Sequence, residues 1–580
     1  MCAIAGCVSV AGPPPSCAGL LRRMRHRGPD SSGELVRGPV AIGAARLAIV
    51  APGDGTQPMQ DPATGIAVAF NGEIYNAPEL RRALAAAGHP CQGPSDTEVV
   101  LRAFAAWGDA AAARLGGMFA IAVRYRDRLL LLRDRTGIKP LAFRVDEAGG
   151  RFLFASEARA LAAENPAPRL DLQTLVDFAV LGVPVDGATF FEAITELRPG
   201  HMMAVSWSGR IEIGPQRAFV PPDARPAADP IPQADADARF AATLGAAVDR
   251  HLAAAVEIVA CLSGGLDSAV LATLAAERLT APLRTFTVAE SEDHPDAVAA
   301  AGLARRIGAR HERLFVSFED FLDAIPATLA LVEMPDLAAG PLFTLLCRRI
   351  GTHARCCLDG EGADELMGGY RRHRDPARSV AEIDAGLARV RRAGLAPRDG
   401  VLARVERLRA EAARGDALPA LLDHDMTDPL ERGHLQPVDR LSMAASVEMR
   451  VPYLDDQLVA LVRSLPVHDV VGPRGGNGKA LLRRLARERY GDRLAGIARR
   501  PKLMMPEAAR GHLARFRSLC RTALASTPVR DDLGALLPDP VDRVLWEIFR
   551  IVAIEAEAAV TVPDVLAALA GRRVAGIAAA

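Results

Sequence analysis

Apolar and polar positions along the chain predict strands in its first part and an alternation of strand and helix in its second. Cys2-Ala3-Ile4-Ala5 leads a strand, Arg46-Leu47-Ala48-Ile49-Val50 closes a strand-like run, and Ile66-Ala67-Val68-Ala69-Phe70 forms another. Arg198-Pro199-Gly200-His201 reads as the turn before a last hairpin. The pattern turns helical around Phe240 to Leu252, and the β-branched run Val256-Glu257-Ile258-Val259 then precedes a glycine turn and helix-forming Ala269 to Ala276. Leu283 to Val288 follows as a buried strand after one helix, which predicts a βαβ unit and a parallel sheet, and Ala354 to Leu358 adds another strand. Residues 371–430, rich in Arg and Ala, read as a helical insertion with solvated faces. Pro221-Pro222-Asp223-Ala224-Arg225-Pro226 reads as an extended linker. The expected division is therefore a domain over 2–215, a proline-rich linker over 216–234, a second domain over 235–560 and an alanine-rich tail over 561–580.

Composition narrows the classes. A chain of 580 residues exceeds a single core, and its 50% hydrophobic content suffices for sizeable ones. The formal net charge is zero and no basic stretch is interleaved with aromatics, which argues against a nucleic-acid surface and for small-molecule partners. The nine cysteines lack paired CxxC spacing, so they read as reduced thiols of a cytoplasmic protein. Neither a secretory leader nor an apolar run of membrane-spanning length is expected.

Two stretches carry chemistry. In Ala260-Cys261-Leu262-Ser263-Gly264-Gly265-Leu266-Asp267-Ser268, glycines let the backbone approach a ligand, and the free amides of a helix start face an anion. No Lys-Ser/Thr follows, so this is not a Walker A loop, and Asp267 instead suits Mg²⁺ held between carboxylate and phosphate oxygens. Asp359-Gly360-Glu361-Gly362-Ala363-Asp364-Glu365 follows another strand. Ligands belong where the carboxyl ends of such strands meet, which would bring Asp267 and Asp364 together on one metal. At the other end, Cys2 stands directly behind the initiator. With Met1 removed, Cys2 carries both a thiol and an α-amine whose ordinary pKa of about 8 lets it accept the thiol proton.

Further segments extend both stretches. Arg25-His26-Arg27-Gly28-Pro29-Asp30, Asn71-Gly72-Glu73-Ile74-Tyr75-Asn76, Ser95-Asp96-Thr97-Glu98, Gly116-Gly117-Met118-Phe119-Ala120 and Arg133-Asp134-Arg135-Thr136-Gly137-Ile138-Lys139-Pro140 appear in that order. Together with Cys2 they resemble the glutaminase domain of class II glutamine amidotransferases, in particular that of glutamine-hydrolysing asparagine synthetases. The loop at 263–268, the carboxylates after residue 358, Asp439-Arg440-Leu441-Ser442-Met443, Val447 to Asp455 and Gly478-Lys479 resemble the ATP-pyrophosphatase domain of the same family.

The resemblance implies an αββα Ntn-hydrolase sandwich followed by an α/β parallel-sheet domain with helical additions. Cys2 would attack the glutamine side-chain amide, and Asn71 with the Gly72 amide would form the oxyanion hole. Arg46 would hold the glutamine α-carboxylate, Glu73 and Asp96 its α-ammonium, and Leu47, Ile49 and Val50 would line the pocket. Arg25 to Asp30 would support that pocket. In the second domain Leu262, Val288, Asp359 and Gly360 would lie against the nucleotide, and Ser263, Gly264, Gly265, Asp267 and Ser268 would hold pyrophosphate. Asp267 and Asp364 would bind Mg²⁺, Lys479 would neutralise phosphate charge, and Glu361 would assist deprotonation of the attacking nitrogen. Glu448 and Arg450 read as a structural ion pair.

The implied reaction is glutamine-dependent amide formation through an acyl-adenylate, with glutamine, ATP and a carboxylic acid as substrates, aspartate by default. A homodimer stays open. Two departures favour asking about other carboxylates. Asp359 stands where the family usually has serine, and Glu333-Met334-Pro335-Asp336-Leu337-Ala338-Ala339-Gly340-Pro341 lacks much of the family's polar pattern there. A paralogue with an inactive synthetase half is the rival from another class, and the retention of Asp267, Glu361, Asp364 and Lys479 counts against it.

Overall fold

The computed structural model describes residues 2–11, 15–147, 149–219, 232–337, 340–415, 417–473, 475–500, 505–525, 534, 536–554 and 560–571. Its first half is built from β1 (Cys2–Ser9), β2 (Ser31–Arg37), β3 (Val40–Arg46), β4 (Met59–Gln60), β5 (Ala67–Ile74), β6 (Gly117–Arg124) and β7 (Arg128–Arg133). It continues through β8 (Ala142–Asp146), β9 (Arg151–Ala155), β10 (Ile194–Glu196), β11 (His201–Trp207), β12 (Ile211–Ile213) and β13 (Arg217–Ala218). One antiparallel sheet runs β10-β8-β9-β1-β3-β2, and a second runs β12-β11-β7-β6-β5-β4 with β13 beside β11.

Ile4, Val8, Ile42, Ala69 and Leu131 fill the space between the sheets. Helices Ala77–Ala86 and Asp96–Trp107 cover the outer face of the second sheet through Leu84, Val99 and Phe104. Helices Ala18–Arg23 and Ala158–Ala162 cover the first through Leu20, Leu21 and Leu161. The result is the expected αββα sandwich. Because each sheet is covered on both faces, β1 and β5 are buried along their whole lengths, which is why they read as apolar runs rather than alternations.

The second half is centred on β14 (Ile258–Cys261), β15 (Arg284–Ala289), β16 (Arg310–Phe315), β17 (Cys356–Leu358) and β18 (Glu448–Arg450), all parallel, in the order β16-β15-β14-β17-β18. The chain therefore leaves β14 towards one edge and later returns to its other side. A crevice opens at such a switch point, between the loops that follow β14 and β17. Helix Leu266–Ala276, which follows β14, is buried on nearly every side, as its apolar composition requires.

Residues 371–430 supply helices Pro376–Arg392, Asp399–Ala413 and Ala417–Asp425. The expectation of solvated arginine faces holds only in part. Arg398 reaches Asp177 at 2.6 Å and also pairs with Asp171, while Arg389 donates to the Ala179 carbonyl at 2.8 Å. These arginines clamp the insertion onto helix Leu172–Leu181 and its acidic N-terminus. The proline-rich stretch 221–230 lies outside the described residues, as do Ala338, Ala339 and 572–580. Within the tail, helix Val562–Leu569 docks through buried Val562 and Val565. Among the described residues no helix is long and apolar enough to cross a membrane.

The halves share one core. Leu47, Ile49, Met118 and Ile138 of the first pack in the same cluster as Leu262, Leu266, Met443 and Val451 of the second. Tyr75 lies over His251 with ring centroids 3.9 Å apart. Burial lowers the His251 imidazole to about 4, so a neutral ring occupies this seam.

Candidate functional site

The first site forms where β1, β3 and β5 meet. Cys2 and Arg46 are directly opposed on β1 and β3, so both side chains leave the same face of the sheet. Cys2 is buried, and its backbone N–H donates to Asn71 Oδ1 at 3.0 Å. That bond orients the Asn71 amide and leaves its Nδ2 buried with no hydrogen-bond partner. An unsatisfied buried donor is costly unless a ligand accepts from it, and a donor waiting beside a nucleophile has the character of an oxyanion hole. Burial pushes the Cys2 thiol up, while the Leu47 amide and Arg46 pull it back.

Arg46, Leu47, Ile49, Val50, Gly72, Glu73 and Asp96 line the pocket beside Cys2, so the anticipated glutamine-binding set is gathered in one place. Arg46 donates to the Ala51 and Pro52 carbonyls at 2.5 and 3.4 Å and to that of Asp54. It thus fixes the loop that carries Leu47 to Val50. Asp96 accepts from the Ile74 amide at 2.9 Å. Burial, with Glu448 and Asp96 nearby, raises Glu73 well above the usual carboxylate range, which suits a site awaiting a cation. Gln57 joins the pocket unanticipated: its Nε2 donates to Cys2 Sγ at 3.4 Å and its Oε1 accepts from the Phe70 amide at 2.7 Å. A lone glutamine before a proline carries no sequence signal for such a role.

The second site lies at the switch point. Gly264 has φ +75°, and a Cβ there would come within 2.4 Å of the Asp296 carbonyl, so this turn requires glycine. Ser263 and Ser268 close the loop, with their hydroxyls 3.1 Å apart and the Ser263 amide donating to Ser268 Oγ at 3.2 Å. Leu262 donates to the Phe286 carbonyl at 2.8 Å, and both it and Val288 are buried. Lys479 is buried too, contrary to what a helix-start lysine in isolation would do. Its Nζ donates to Asp267 at 2.6 and 2.7 Å and lies 2.6 Å from Asp364 Oδ1. A Cβ on Gly369 would fall 2.1 Å from Lys479 Cε, so glycine at this position admits the lysine.

Asp267 and Asp364 thus converge on one cation already, the Lys479 ammonium. Two buried hard-oxygen donors at adjacent strand ends match the ligand chemistry of Mg²⁺. Gly360 packs against Asp267. Asp359 is held by the Arg450 carbonyl, which accepts its amide hydrogen at 2.8 Å, and its carboxylate accepts from the Glu361 amide at 3.1 Å. Burial and the Glu361 charge push Asp359 up to about 7.

Buried ions join the two sites. Arg450 pairs with Glu448 at 2.5 Å, as anticipated, and also faces Glu73 of the first pocket at 3.5 Å. Arg27 and Lys139 bind the two oxygens of Asp439 at 2.6 and 2.9 Å. Arg25 to Asp30 is therefore an interface element as well as a support: Asp30 accepts from the Ala48 amide and pairs with Arg355. Glu196 gathers Arg133, Arg432 and Arg440; although burial works against it, these three hold its carboxyl down at about 2.

The sequence profile of the glutamine amidotransferase domain matches residues 1–215, and that of asparagine synthase matches residues 239–547. Asparagine synthetase [glutamine-hydrolyzing] 3 of Bacillus subtilis is 30% identical over 489 residues, covering 76% of this chain and 77% of its own. A putative asparagine synthetase of Mycobacterium bovis is 31% identical over 512 residues, with 76% and 77% covered. Asparagine synthetase [glutamine-hydrolyzing] 1 of B. subtilis is 27% identical over 522 residues, with 80% and 79% covered. With both domains matched and both sites assembled in one chain, this protein belongs to the asparagine synthase family of glutamine-hydrolysing, ATP-dependent amide ligases.

Proposed function

We propose that the chain hydrolyses glutamine at Cys2 and passes the ammonia through its interior to an acyl-adenylate formed from ATP and a carboxylic acid, aspartate by default. The observation that carries the glutaminase half is the orphaned, buried Asn71 Nδ2 beside the Cys2 thiol. Cys2, freed of Met1, would add through sulfur to the glutamine amide carbon while its own amine takes the thiol proton. Asn71 Nδ2 and the Gly72 amide would hold the developing oxyanion. Arg46 would meet the glutamine α-carboxylate, and Glu73 and Asp96 its α-ammonium. The apolar cluster that Leu47, Met118 and Ile138 form with residues of the second half would favour passage of neutral ammonia over ammonium.

In the synthetase half, the substrate carboxylate would attack the α-phosphorus of ATP. Ser263 to Ser268 would cradle the departing pyrophosphate, and Lys479 would neutralise its charge. Asp267 and Asp364 would hold Mg²⁺, which when bound shields the phosphate oxygens from one another. Glu361 would receive a proton from the attacking nitrogen.

A second reading keeps this chemistry and changes the acid. Asp359, together with the sparse polarity of Glu333 to Leu337, favours a carboxylate that bears an amine and lacks the second acid group of aspartate. The deciding experiment is pyrophosphate release with Mg-ATP, glutamine and a panel of carboxylic acids that includes aspartate. Turnover of aspartate supports the default. Turnover of another acid without aspartate overturns it, and a panel with no turnover beside active glutaminase overturns the ligase reading.

A further inference from the structure

Residues Glu431–Leu435 form a π-helical turn leading into helix Gln436–Met443. Turns of this kind recur at functional sites because the extra residue re-aims side chains. Here Glu431 points to the first half, 2.6 Å from Arg133, and Arg432 pairs with Glu196. His434, three residues after Glu431, points the other way. Its Nδ1 lies 3.4 Å from Glu361 Oε2 and its Nε2 lies 3.5 Å from Glu365 Oε1. Tyr370 completes the group: its hydroxyl donates to Glu365 Oε1 at 2.5 Å and sits 3.3 Å from His434 Nε2, with its ring stacked on the imidazole at 5.9 Å. Glu365 is wholly buried, and its second oxygen has no hydrogen-bond partner.

We propose that His434 is a positioning residue of the synthetase site, bridging Glu361 to the buried Glu365–Tyr370 pair so that the Glu361 carboxylate stays aimed at the incoming nitrogen. The inference rests on the reading of Glu361 as the proton acceptor. In that step the ammonia lone pair forms a C–N bond to the acyl carbon. The bond from that carbon to the AMP oxygen breaks, AMP leaves with the electron pair, and one N–H proton passes to Glu361.

Glu361 sits in the loop between β17 and the short helix Ala363–Met367, with its side chain 29% exposed. A base in such a position needs an anchor from another element, and His434 supplies one. The choice of imidazole also fits the task. Arginine would make a bidentate pair and strip the carboxylate of its basicity. A single imidazole shared between two carboxylates at 3.4 and 3.5 Å orients Glu361 without neutralising it fully. Burial and Arg372 disfavour the charged ring, and Glu365 with Glu361 outweighs them, raising His434 to about 9. Both ring nitrogens then carry protons at neutral pH. The three side chains have the ligand types of a divalent-metal site, with candidate ligand atoms within 4.8 Å of one another. A divalent ion there would have to displace the proton that the two carboxylates favour on the imidazole.

The test uses the full chain and the acid that the carboxylate panel identifies. For His434→Leu, amide formation from ammonium chloride should fall about tenfold or more, whereas ATP–pyrophosphate exchange and glutaminase turnover stay within about twofold. His434→Gln, which keeps an N–H towards Glu361, should recover part of the loss and guards against a leucine variant that fails to fold. Tyr370→Phe should reduce amide formation by less than His434→Leu. Equal loss of exchange and amide formation would overturn the proposal, as would unchanged amide formation. So would a stoichiometric divalent metal in the purified protein that disappears with His434. Glu361→Gln separates the two levels: if it leaves amide formation intact, the base reading itself fails. If it abolishes amide formation while His434→Leu does not, only the positioning role fails.

Discussion

The two pockets are built on opposite principles. Around Cys2 the protein leaves a donor unsatisfied, with Asn71 Nδ2 buried and waiting, and holds Glu73 where a cation is wanted. Around Asp267 the carboxylates are already engaged: Lys479 binds both Asp267 and Asp364, and Gly369 makes room for it. The first site is preorganised for its ligand, so binding there completes an existing network. The second is closed on itself, so under the proposed assignment a polyphosphate would compete with two aspartates for one lysine.

That contrast can be broken at several points. Cys2→Ala should take glutamine-driven amide formation to background and leave ammonia-driven formation in place, measured as product formed with each nitrogen source. Loss of both would end the two-site account. Asp267→Asn should cut pyrophosphate release by about 10³-fold, while glutamine hydrolysis persists in the same preparation. For Asn71→Ala, glutaminase kcat should fall by about 10²–10³-fold, as for other lost oxyanion donors, with no change in the ammonia-driven rate. Asp439→Asn removes the carboxylate that Lys139 pairs with and leaves buried Arg27 with Glu157 alone. It should cost about 3 kcal/mol of stability, seen as a lower unfolding midpoint, and raise the glutamine consumed per amide formed.

The smallest effect concerns pH. Asp359 is pushed up to about 7, well above an unfolded aspartate, so between pH 4 and 7 the folded chain binds more protons than the unfolded one. Its contribution to stability therefore falls as pH rises through that window. Asp359→Asn should raise the melting midpoint more at pH 8 than at pH 5. An equal shift at both values would mean that the carboxylate is ionised throughout.

Much of this was legible in the residues. Cys2, Asn71, Asp267 and Lys479 stand in short local patterns whose backbone geometry is encoded by adjacent glycines and apolar runs, so both their company and their class could be read. What escaped depends on contacts distant in sequence. Gln57 reaches Cys2 across 55 residues and His434 reaches Glu361 from the far side of an insertion, with no local spacing to announce either. The solvated reading of the insertion arginines holds only in part for the same reason: an exposed arginine face and one clamped onto Asp171 and Asp177 have the same composition, and only the tertiary partner distinguishes them.

The buried ionic seam also bears on how such a chain can evolve. Arg27, Arg133 and Glu73 on one side are matched charge by charge to Asp439, Glu431 and Arg450 on the other. Exchanging residues 1–215 for those of a relative would set buried charges against unmatched partners, so recombination at the linker, the obvious place to cut by length alone, is disfavoured. On this ground the two halves should be inherited as a pair, and substitutions along the seam should arise in compensating couples rather than singly.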